Sequence, residues 1–499
     1  MNNCTKKKIH RITFTCLLAA WLPGVSFILF SCADKPDNAV VANDSPSIFP
    51  DYKGVTIPVN IAPLNFRVEG EVKSCHAVFA GTNGNSFTCS GKNNIRIHPG
   101  KWKKLLADNA GQPVSVTVST RPANGQWTRW QPFALYVSSD SIDNHLVYRL
   151  IEPGYEKWHI TGIYQRNLET FTEKPIIKND MTDYNCINCH SFCGGNPQQM
   201  MLHMRATNGG TYIINGENIQ KLNTQTEQTI SHLAYPFWHP SGKYLAASVN
   251  DIKQFFHSVK ALKMEVFDLE SDVVVYDIER KAILSAASLV TKDAFETFPA
   301  FSPDGKSLYY CSAPALPMPK QYDSIRYAIH RVAFNDAHGH IGPQADTIIR
   351  NDAYSASFPR ISPDGRFLMY TETGYGQFPI WHKDAEIRMI DLATSRPIDM
   401  SALNSDDTES YHSWSTNSRW VAVSSRRDNG VYTLPYFAHI DGQGNPSKPF
   451  VLPQEDPDTY DYSLYSYNLP ELVNGQVTIS PYAIRHAARN MAAEQVVFR

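Results

Sequence analysis

Apolar and polar positions alternate in short runs along much of this chain, which is the pattern of half-buried β-strands. Within residues 55–170 these runs are rich in β-branched and aromatic residues and are separated by Gly, Asn and Pro. The clearest runs are residues 55–57, 114–118 and 133–137, and residues 101–108 are predicted to form a short helix. This part of the chain is therefore predicted to be a β-sandwich-like domain.

The second half of the chain repeats one pattern, an apolar strand followed by a Ser-Pro-Asp-Gly-type turn and another apolar strand. Pro presets φ in such a turn and Gly accepts a positive φ, so the flanking runs are predicted to be adjacent strands. Four turns are marked by Pro240, Pro303, Pro363 and Thr416, which stand 63, 60 and 53 residues apart. These periods fit one four-stranded propeller blade with an enlarged loop. The pattern resembles the TolB-like β-propeller repeat, which implies six blades, and residues 460–477 are expected to supply closing strands.

The first 31 residues are predicted to be a lipoprotein signal peptide. Basic residues precede an apolar stretch, residues 12–30, and the Leu-Phe-Ser-Cys sequence that ends at Cys32 resembles a lipobox. Cleavage would leave Cys32 as the lipidated first residue, followed by a tether to residue 50. The alternative is a transmembrane anchor, which a Pro-Gly pair inside the stretch disfavours. We therefore expect an outer-membrane lipoprotein of the cell envelope, held to the membrane by its lipid and facing the periplasm or the cell surface.

Composition excludes some classes of protein. The chain has 499 residues, 42% of them hydrophobic and 19% charged, as in a globular protein of more than one domain. The 46 Lys and Arg residues are matched by 48 Asp and Glu residues, so no excess of positive charge favours a nucleic-acid partner.

Candidate chemistry concentrates in the sequence Cys186-Ile187-Asn188-Cys189-His190. Two thiols at this spacing followed by His form the attachment motif of c-type haem, in which the thiols become thioethers and the imidazole binds iron. Chance would produce roughly 0.006 such motifs in a chain of this composition. Thiols in an oxidising compartment end as disulfides or as cofactor attachments, so predicted export supports the same interpretation. The motif predicts one haem c, with His190 as the proximal iron ligand.

Other fates of the cysteines stay open from the sequence. Cys186, Cys189, Cys193 and a histidine could hold a structural zinc ion. Alternatively, Cys186 could form a disulfide with Cys189, or either could pair with Cys193. Cys75 and Cys89 flank a predicted turn and are candidates for another disulfide.

The sixth iron ligand is predicted to come from the residues just after the motif. An Asn-Pro pair is typical of a helix start and predicts a short helix over residues 198–205. On a helix, Met200, His203 and Met204 would share one face. His203 is the predicted ligand, with Met200, Met201, Met204 or an open iron as alternatives. The Met-rich face could instead simply pack against the haem or the first blade.

The whole chain resembles a group of bacterial lipoproteins, some described as cytochrome c-related. The shared features are an N-terminal β domain, an Asn-Cys-x-Asn-Cys-His-Ser segment at residues 185–191, residues 201–205 and the Ser-Pro-Asp-Gly repeats. The resemblance implies an exported haem protein or an interaction scaffold. The predicted organisation is a signal peptide (1–31), a tether (32–50), a β-sandwich-like domain (51–175), a haem-attachment segment (176–208) and a TolB-like propeller (209–499).

The sequence is compatible with three classes of function. In the first, one covalent haem transfers electrons while the propeller binds a protein partner. In the second, the propeller is a non-enzymatic scaffold and the haem is structural. In the third, a substrate binds in the propeller channel with the haem as electron acceptor. No nucleophile-base pair or carboxylate pair can be located, so the sequence does not decide whether the chain is an enzyme.

Overall fold

The computed structural model describes residues 36–152, 160–259 and 262–499. The predicted signal peptide and the lipidation position Cys32 lie outside these residues. No helix within the described ranges is both long enough and apolar enough to cross a membrane. Strands are the main regular element of the described chain and far outnumber helices, as the alternation of apolar and polar positions predicts.

The N-terminal β domain consists of two sheets and one helix that share a hydrophobic core. Its elements are β1 (Val40–Val41), β2 (Ile48–Phe49), β3 (Thr56–Pro58), β4 (Phe66–Val68), β5 (Ser74–Gly81), β6 (Ser86–Gly91), β7 (Asn94–Ile95), α1 (Pro99–Asp108), β8 (Pro113–Arg121), β9 (Thr128–Arg129) and β10 (Phe133–Ser138). The larger sheet has the order β1-β9-β8-β10-β3, with β5 on β8 and β6 on β5, and β2-β4-β7 form the smaller one. Helix α1 begins at a proline, where no backbone N–H is needed, and packs Trp102 against Phe79 of β5.

Cys75 and Cys89 were candidates for a disulfide, but both are free thiols in the structure. Strands β5 and β6 do make the expected hairpin. Their register, however, places Cys75 opposite Gly91 and Cys89 opposite Ala77. Diagonal positions of this kind lie about 7–8 Å apart, which is beyond the usual span of a disulfide.

The propeller follows the N-terminal β domain and contains six sheets, which we number as blades. The chain first forms β11 (His145–Ile151), β12 (Thr161–Asn167), β13 (Glu173–Lys178) and a 3-10 helix (Asn179–Met181). Blade 1 contains β14 (Ile187–Phe192), β15 (Gln199–Met204), β16 (Gly210–Asn215) and β17 (Asn218–Asn223). Blade 2 contains β18 (Ala234–Trp238), β19 (Tyr244–Phe256), β20 (Met264–Asp277) and β21 (Ala282–Leu284). Blade 3 contains β22 (Ala294–Phe301), β23 (Ser307–Pro314), a 3-10 helix (Tyr322–Ser324), β24 (Ala328–Asn335) and β25 (His340–Ile349).

The remaining elements complete the ring and cover its edge. Blade 4 contains β26 (Ser355–Ile361), β27 (Phe367–Thr373), a 3-10 helix (Pro379–Trp381), β28 (Glu386–Asp391) and β29 (Arg396–Ile398). Blade 5 contains β30 (Glu409–Trp414), β31 (Trp420–Ser425), β32 (Leu434–His439) and β33 (Phe450–Val451). The last elements are α2 (Thr459–Tyr462), β34 (Ser466–Val473), α3 (Pro481–Asn490), β35 (Glu494–Gln495) and β36 (Val497–Phe498). Strands β35 and β36 pair with the outer strands of blades 1 and 2, which protects two sheet edges.

Blade 6 closes the propeller with strands from both ends of the repeat region. Its order is β13-β12-β11-β34, so β34 is the inner strand and β11 is its neighbour. Strand β34 also contacts β30 of blade 5 and β14 of blade 1, which completes a ring of six inner strands. The expectation that residues 460–477 supply a closing strand is therefore confirmed, and the structure has the six blades that the repeat implies.

Three predictions about the middle of the chain are wrong. Residues 145–178 do not belong with the N-terminal β domain, because the inner strand of their sheet is β34. The predicted haem-attachment segment, residues 176–208, is not a separate unit, because it supplies the two inner strands of blade 1. The predicted helix over residues 198–205 is also a strand, since β15 pairs with β14 on one side and β16 on the other. Pairing across the blade outweighs the local helix-start signal, which lies in the β14–β15 turn.

Candidate functional site

The inner strand of every blade contains a β-bulge at the same position. In each bulge two residues stand opposite one residue of the next strand. The first of the two residues always has a positive φ angle, between 40° and 53°. Such angles are unfavourable for residues other than Gly, Asn and Asp, so the propeller repeats one strained feature six times. The six residues with positive φ are Cys189, Tyr235, Phe298, Phe358, Tyr411 and Leu469.

The side chains of these six residues, which we call the central ring, meet at the centre of the propeller. The Phe298 ring centroid lies 4.4 Å from that of Tyr235 and 4.0 Å from that of Phe358. The Phe358 centroid in turn lies 4.7 Å from that of Tyr411. Tyr411 and Leu469 contribute to the walls of two different chambers. The central ring therefore separates one chamber from the other.

The second residue of each bulge is proline in four blades and histidine in two. Proline suits this position because a bulge leaves a backbone N–H without a ladder partner. Blades 1 and 5 instead carry His190 and His412. The backbone does not require histidine here, so the two imidazoles point to a function. The four prolines are Pro236, Pro299, Pro359 and Pro470.

The chamber on one side of the central ring contains both thiols of the Cys-x-x-Cys-His motif, and we call it the thiol chamber. Its volume is about 630 Å³, within the range of small-molecule and cofactor sites. Cys186 and Cys189 are free thiols. Burial raises the pKa of Cys186, and the nearby Arg149 and Arg205 oppose that increase. The polar groups that line the thiol chamber include Arg149, Cys186, Cys189, His203, Arg205 and His232.

His203, the predicted sixth ligand, lines the thiol chamber. Its Nδ1 lies 3.2 Å from Thr211 Oγ1, which leaves Nε2 for another partner, and its ring centroid is 5.4 Å from that of His232. Burial is the main reason why the pKa of His203 falls to about 3, so the imidazole is neutral at physiological pH. Neutral imidazole is the form that binds metals. The structure thus places Cys186, Cys189 and His203 around one chamber.

Met200 and Met204 lie elsewhere, and their prediction as alternative iron ligands is wrong. Successive side chains of a strand point to opposite faces, whereas the prediction assumed the period of a helix. Both methionines are fully buried in the core shared by blades 1 and 6. His203 is on the other face of β15, towards the thiol chamber.

The chamber on the other side of the central ring has a volume of about 370 Å³, and we call it the Arg360 chamber. Four consecutive blades each contribute one charged or imidazole side chain to its lining, and the two remaining blades contribute aromatic side chains. The polar residues are His190 of blade 1, Glu471 of blade 6, His412 of blade 5 and Arg360 of blade 4, and the aromatic residues include Phe237, Trp238 and Phe301.

The two histidines of the Arg360 chamber are buried, and their ring nitrogens lack well-aligned hydrogen bonds within the described part of the chain. His190 is 6% exposed and His412 is 4% exposed. Burial lowers the pKa of each to about 3, although the carbonyls of Leu469 and Met369 are close enough to oppose the change. Both imidazoles are therefore neutral, and on each the ring nitrogen that does not face the nearby carbonyl stays available to a ligand.

Charge in the Arg360 chamber is unbalanced. Glu471 Oε1 accepts a hydrogen bond from the Phe192 N–H at 2.9 Å, and its Oε2 lies 4.0 Å from His190 Nε2. Burial raises the pKa of Glu471 to about 8, so this carboxyl is mostly protonated at neutral pH. Burial also lowers the pKa of Arg360, but only to about 10, so the guanidinium stays charged.

The Cys-x-x-Cys-His motif is divided by the central ring. Its thiols open onto the thiol chamber, whereas His190 opens onto the Arg360 chamber. A haem held by the two thiols within the thiol chamber would share that space with His203 and His232, and not with His190. The residues present therefore fit covalent attachment of haem, but they do not fit His190 as its proximal ligand.

The zinc alternative lacks a converging ligand set. Cys193 lies in the core between blades 1 and 2, where its Sγ is 3.6 Å from the His239 carbonyl oxygen. It does not line the chamber that Cys186 and Cys189 line. Across residues 36–152, 160–259 and 262–499, no group of three or more His, Cys, Asp or Glu side chains is arranged to hold a metal ion.

No protein-family model matches the chain, and no curated protein sequence matches it. Solved structures of propeller type do resemble it. The fold is a β-propeller. The chain is similar to a puromycin hydrolase at 11% identity, over 62% of this chain and only 45% of that chain, with a TM-score of 0.38. It is also similar to an oligogalacturonate lyase in complex with manganese, at 10% identity over 60% of this chain and 72% of that chain, with a TM-score of 0.35.

A third similar structure is the periplasmic gluconolactonase of Pseudomonas aeruginosa, at 11% identity over 61% of this chain and 68% of that chain, with a TM-score of 0.28. At such identities the likeness concerns the fold alone, because one fold supports many activities. It carries no argument about what this chain binds.

Three residues of the Arg360 chamber belong to no motif that the sequence shows by itself. These are Arg360, His412 and Glu471, and each departs from the repeat. His412 stands where four blades have proline, and Arg360 and Glu471 occupy the next position, where blades 2 and 3 have Phe237 and Ala300. Departures of this kind are visible once the six inner strands are aligned. Blade 6 has no Pro-Asp-Gly turn, so its copy could not be aligned without the sheet topology.

Proposed function

We propose that this chain is an exported lipoprotein, anchored through Cys32, whose propeller carries one c-type haem on Cys186 and Cys189 and exchanges electrons with a docked protein. The observation that supports this best is the pair of free thiols, at the haem-attachment spacing, on the wall of a chamber of cofactor size. A bound haem would supply one-electron chemistry.

We further propose that His203, rather than His190, is the iron ligand. His203 lines the same chamber as the two thiols, and its Nδ1 faces Thr211. In metal-binding histidines, a hydrogen-bond partner on the ring nitrogen that does not bind the metal fixes the orientation and the tautomer of the ring. His232 lines the same chamber and is the second candidate.

Two arginines support the placement of a haem in the thiol chamber. Arg149 and Arg205 line the thiol chamber, and Arg149 Nε has no hydrogen-bond partner in the described part of the chain. Guanidinium groups bind carboxylates strongly because their N–H donors match the two oxygens. These arginines can therefore pair with the carboxylates of a haem.

The proposal is tested by producing the chain with its own signal peptide in cells that contain a haem-attachment system. We expect a pyridine haemochrome spectrum, and haem that stays with the denatured polypeptide. Changing both Cys186 and Cys189 to Ala should abolish the denaturation-resistant haem. The matched control is Cys193→Ala, which removes a buried thiol outside the thiol chamber and should leave haem content unchanged. Absence of covalent haem in the wild-type protein, or its persistence in the double variant, would refute the proposal.

The ligand assignment has its own test. His203→Ala should shift the absorption spectrum of the haem at unchanged haem content, because the iron loses its imidazole ligand, whereas His232→Ala should leave the spectrum unchanged. The reverse result would assign the iron to His232, and two unchanged spectra would exclude both histidines.

A further inference from the structure

The Arg360 chamber has the features of a second binding site, and no step of the proposed haem function uses it. Its imidazoles occupy bulge positions where four other blades have proline, so they are not required by the backbone. Both side chains are more than nine-tenths buried, and their nitrogens lack aligned hydrogen bonds within the described ranges. Buried polar groups without partners destabilise a fold, so a ligand that satisfies them would offset that cost.

Arg360 supplies a positive charge that no described carboxylate approaches within 4.0 Å, and Glu471 acts on it only at longer range. Its Nη1 donates a hydrogen bond to the Pro359 carbonyl at 2.8 Å, and its Cζ lies 4.9 Å from the centroid of the Phe237 ring. None of the ion pairs within 4.0 Å that the described residues form includes Arg360, and Glu471 contacts the Phe192 N–H and His190 instead. An arginine held in this way is suited to bind an incoming carboxylate.

The remaining wall of the chamber is aromatic and suits the apolar part of a ligand. This wall consists of Phe237, Trp238 and Phe301, and it lines the same chamber as His190, His412 and Arg360. Trp238 Nε1–H already donates a hydrogen bond to the Ser191 carbonyl at 3.1 Å. The aromatic wall therefore offers apolar contact and no further free donor from Trp238. With a volume of about 370 Å³, the chamber is at the small end of the range for ligand sites.

We propose that the Arg360 chamber binds a small organic anion, whose carboxylate contacts Arg360 and the imidazoles of His190 and His412 and whose apolar body packs on the aromatic wall. The proposal does not depend on haem, because neither Cys186 nor Cys189 lines this chamber. It would add a ligand-binding function, at the opposite side of the central ring, to the proposed redox function.

The test compares benzoate with its neutral analogue benzamide and with inorganic phosphate, by calorimetric titration at constant ionic strength. We expect benzoate to bind, benzamide to bind at least tenfold more weakly, and phosphate to bind more weakly than benzoate. Arg360→Met keeps a long apolar side chain and should weaken benzoate binding by between about tenfold and a hundredfold, the range for a charged hydrogen-bonded contact. The matched control is Arg331→Met, a half-exposed arginine of blade 3 that pairs with Asp346 and should not change benzoate affinity.

A second variant keeps the proposal testable if Arg360→Met does not fold. His412→Pro introduces the residue that four other blades carry at this position, so the inner strand should be retained while benzoate affinity falls severalfold. Haem content of both variants should match the wild type, which separates this test from that of the proposed function. Equal affinity for benzoate and benzamide, phosphate that binds as well as benzoate, or unchanged benzoate affinity in folded His412→Pro would overturn the proposal.

Discussion

Because of Glu296, the free energy of unfolding of the propeller should fall as the pH rises. The side chain lies in β22 and is 2% exposed, with Oε1 accepting a hydrogen bond from Thr291 Oγ1 at 2.7 Å and Oε2 unpartnered within the described ranges. Burial, with a smaller contribution from Asp272, raises the pKa of Glu296 from 4.5 to about 8. The unfolded chain therefore releases this proton at a lower pH than the folded chain does. Stability contributed by the protonated group is complete below pH 4.5 and is lost as the pH rises to about 8.

The magnitude follows from the difference between the two pKa values. Each pH unit in this window removes about 1.4 kcal/mol from the free energy of unfolding. The loss is about 3 kcal/mol at pH 7 and approaches about 5 kcal/mol above pH 8. Glu296→Gln keeps the oxygen that accepts from Thr291 but cannot ionise, so the variant should be more stable than the wild type by these amounts.

The assay is urea unfolding followed by tryptophan fluorescence, at intervals from pH 5 to pH 9. The difference in unfolding free energy between Glu296→Gln and the wild type should be small at pH 5 and should grow with pH. Glu279→Gln is the matched control, because Glu279 is 71% exposed and its removal should produce no pH-dependent difference. A Glu296→Gln difference that is constant across the pH range would refute the reasoning.

Four further predictions follow from the structure. Phe298→Ala removes an aromatic group from the central ring and should lower the free energy of unfolding by about 3–5 kcal/mol in urea titrations; a loss below about 1 kcal/mol would mean that the ring packs loosely. Deletion of residues 466–499 removes the inner strand of blade 6 and should abolish cooperative thermal unfolding, measured by near-ultraviolet circular dichroism, whereas a melt like that of the full chain would show that closure is dispensable. Met200→Leu conserves core volume and should cost less than about 1.5 kcal/mol in urea unfolding without altering any haem spectrum; a spectral change would place Met200 near the iron. Cys32→Ser should move the protein from the membrane to the soluble fraction, and membrane retention with an unchanged fatty-acid label would contradict the signal-peptide prediction.

Local sequence patterns predicted the secondary structure well where neighbouring residues decide it. The helix over residues 101–108 and the strands at 114–118 and 133–137 have clear periods, and the structure contains all three. The helix predicted from the Asn-Pro pair at 196–197 does not form, because cross-strand pairing with β14 and β16 decides the conformation of residues 199–204. Once that segment is a strand, His203 and Met204 necessarily point in opposite directions.

The sequence alone determined that this protein is a β-rich propeller with two thiols at the spacing for haem attachment, since turn chemistry and residue spacing are local properties. Only the tertiary structure decided where those thiols and the polar side chains lie. The bulge at Cys189 and His190 places the thiols and the imidazole of one motif on opposite sides of the central ring. Ring closure by β34 brings Glu471 between His190 and His412, although the three residues are far apart in the chain. The physical reason is that a propeller forms its interior from one strand of each blade, so residues separated by whole repeats become neighbours only when the ring closes.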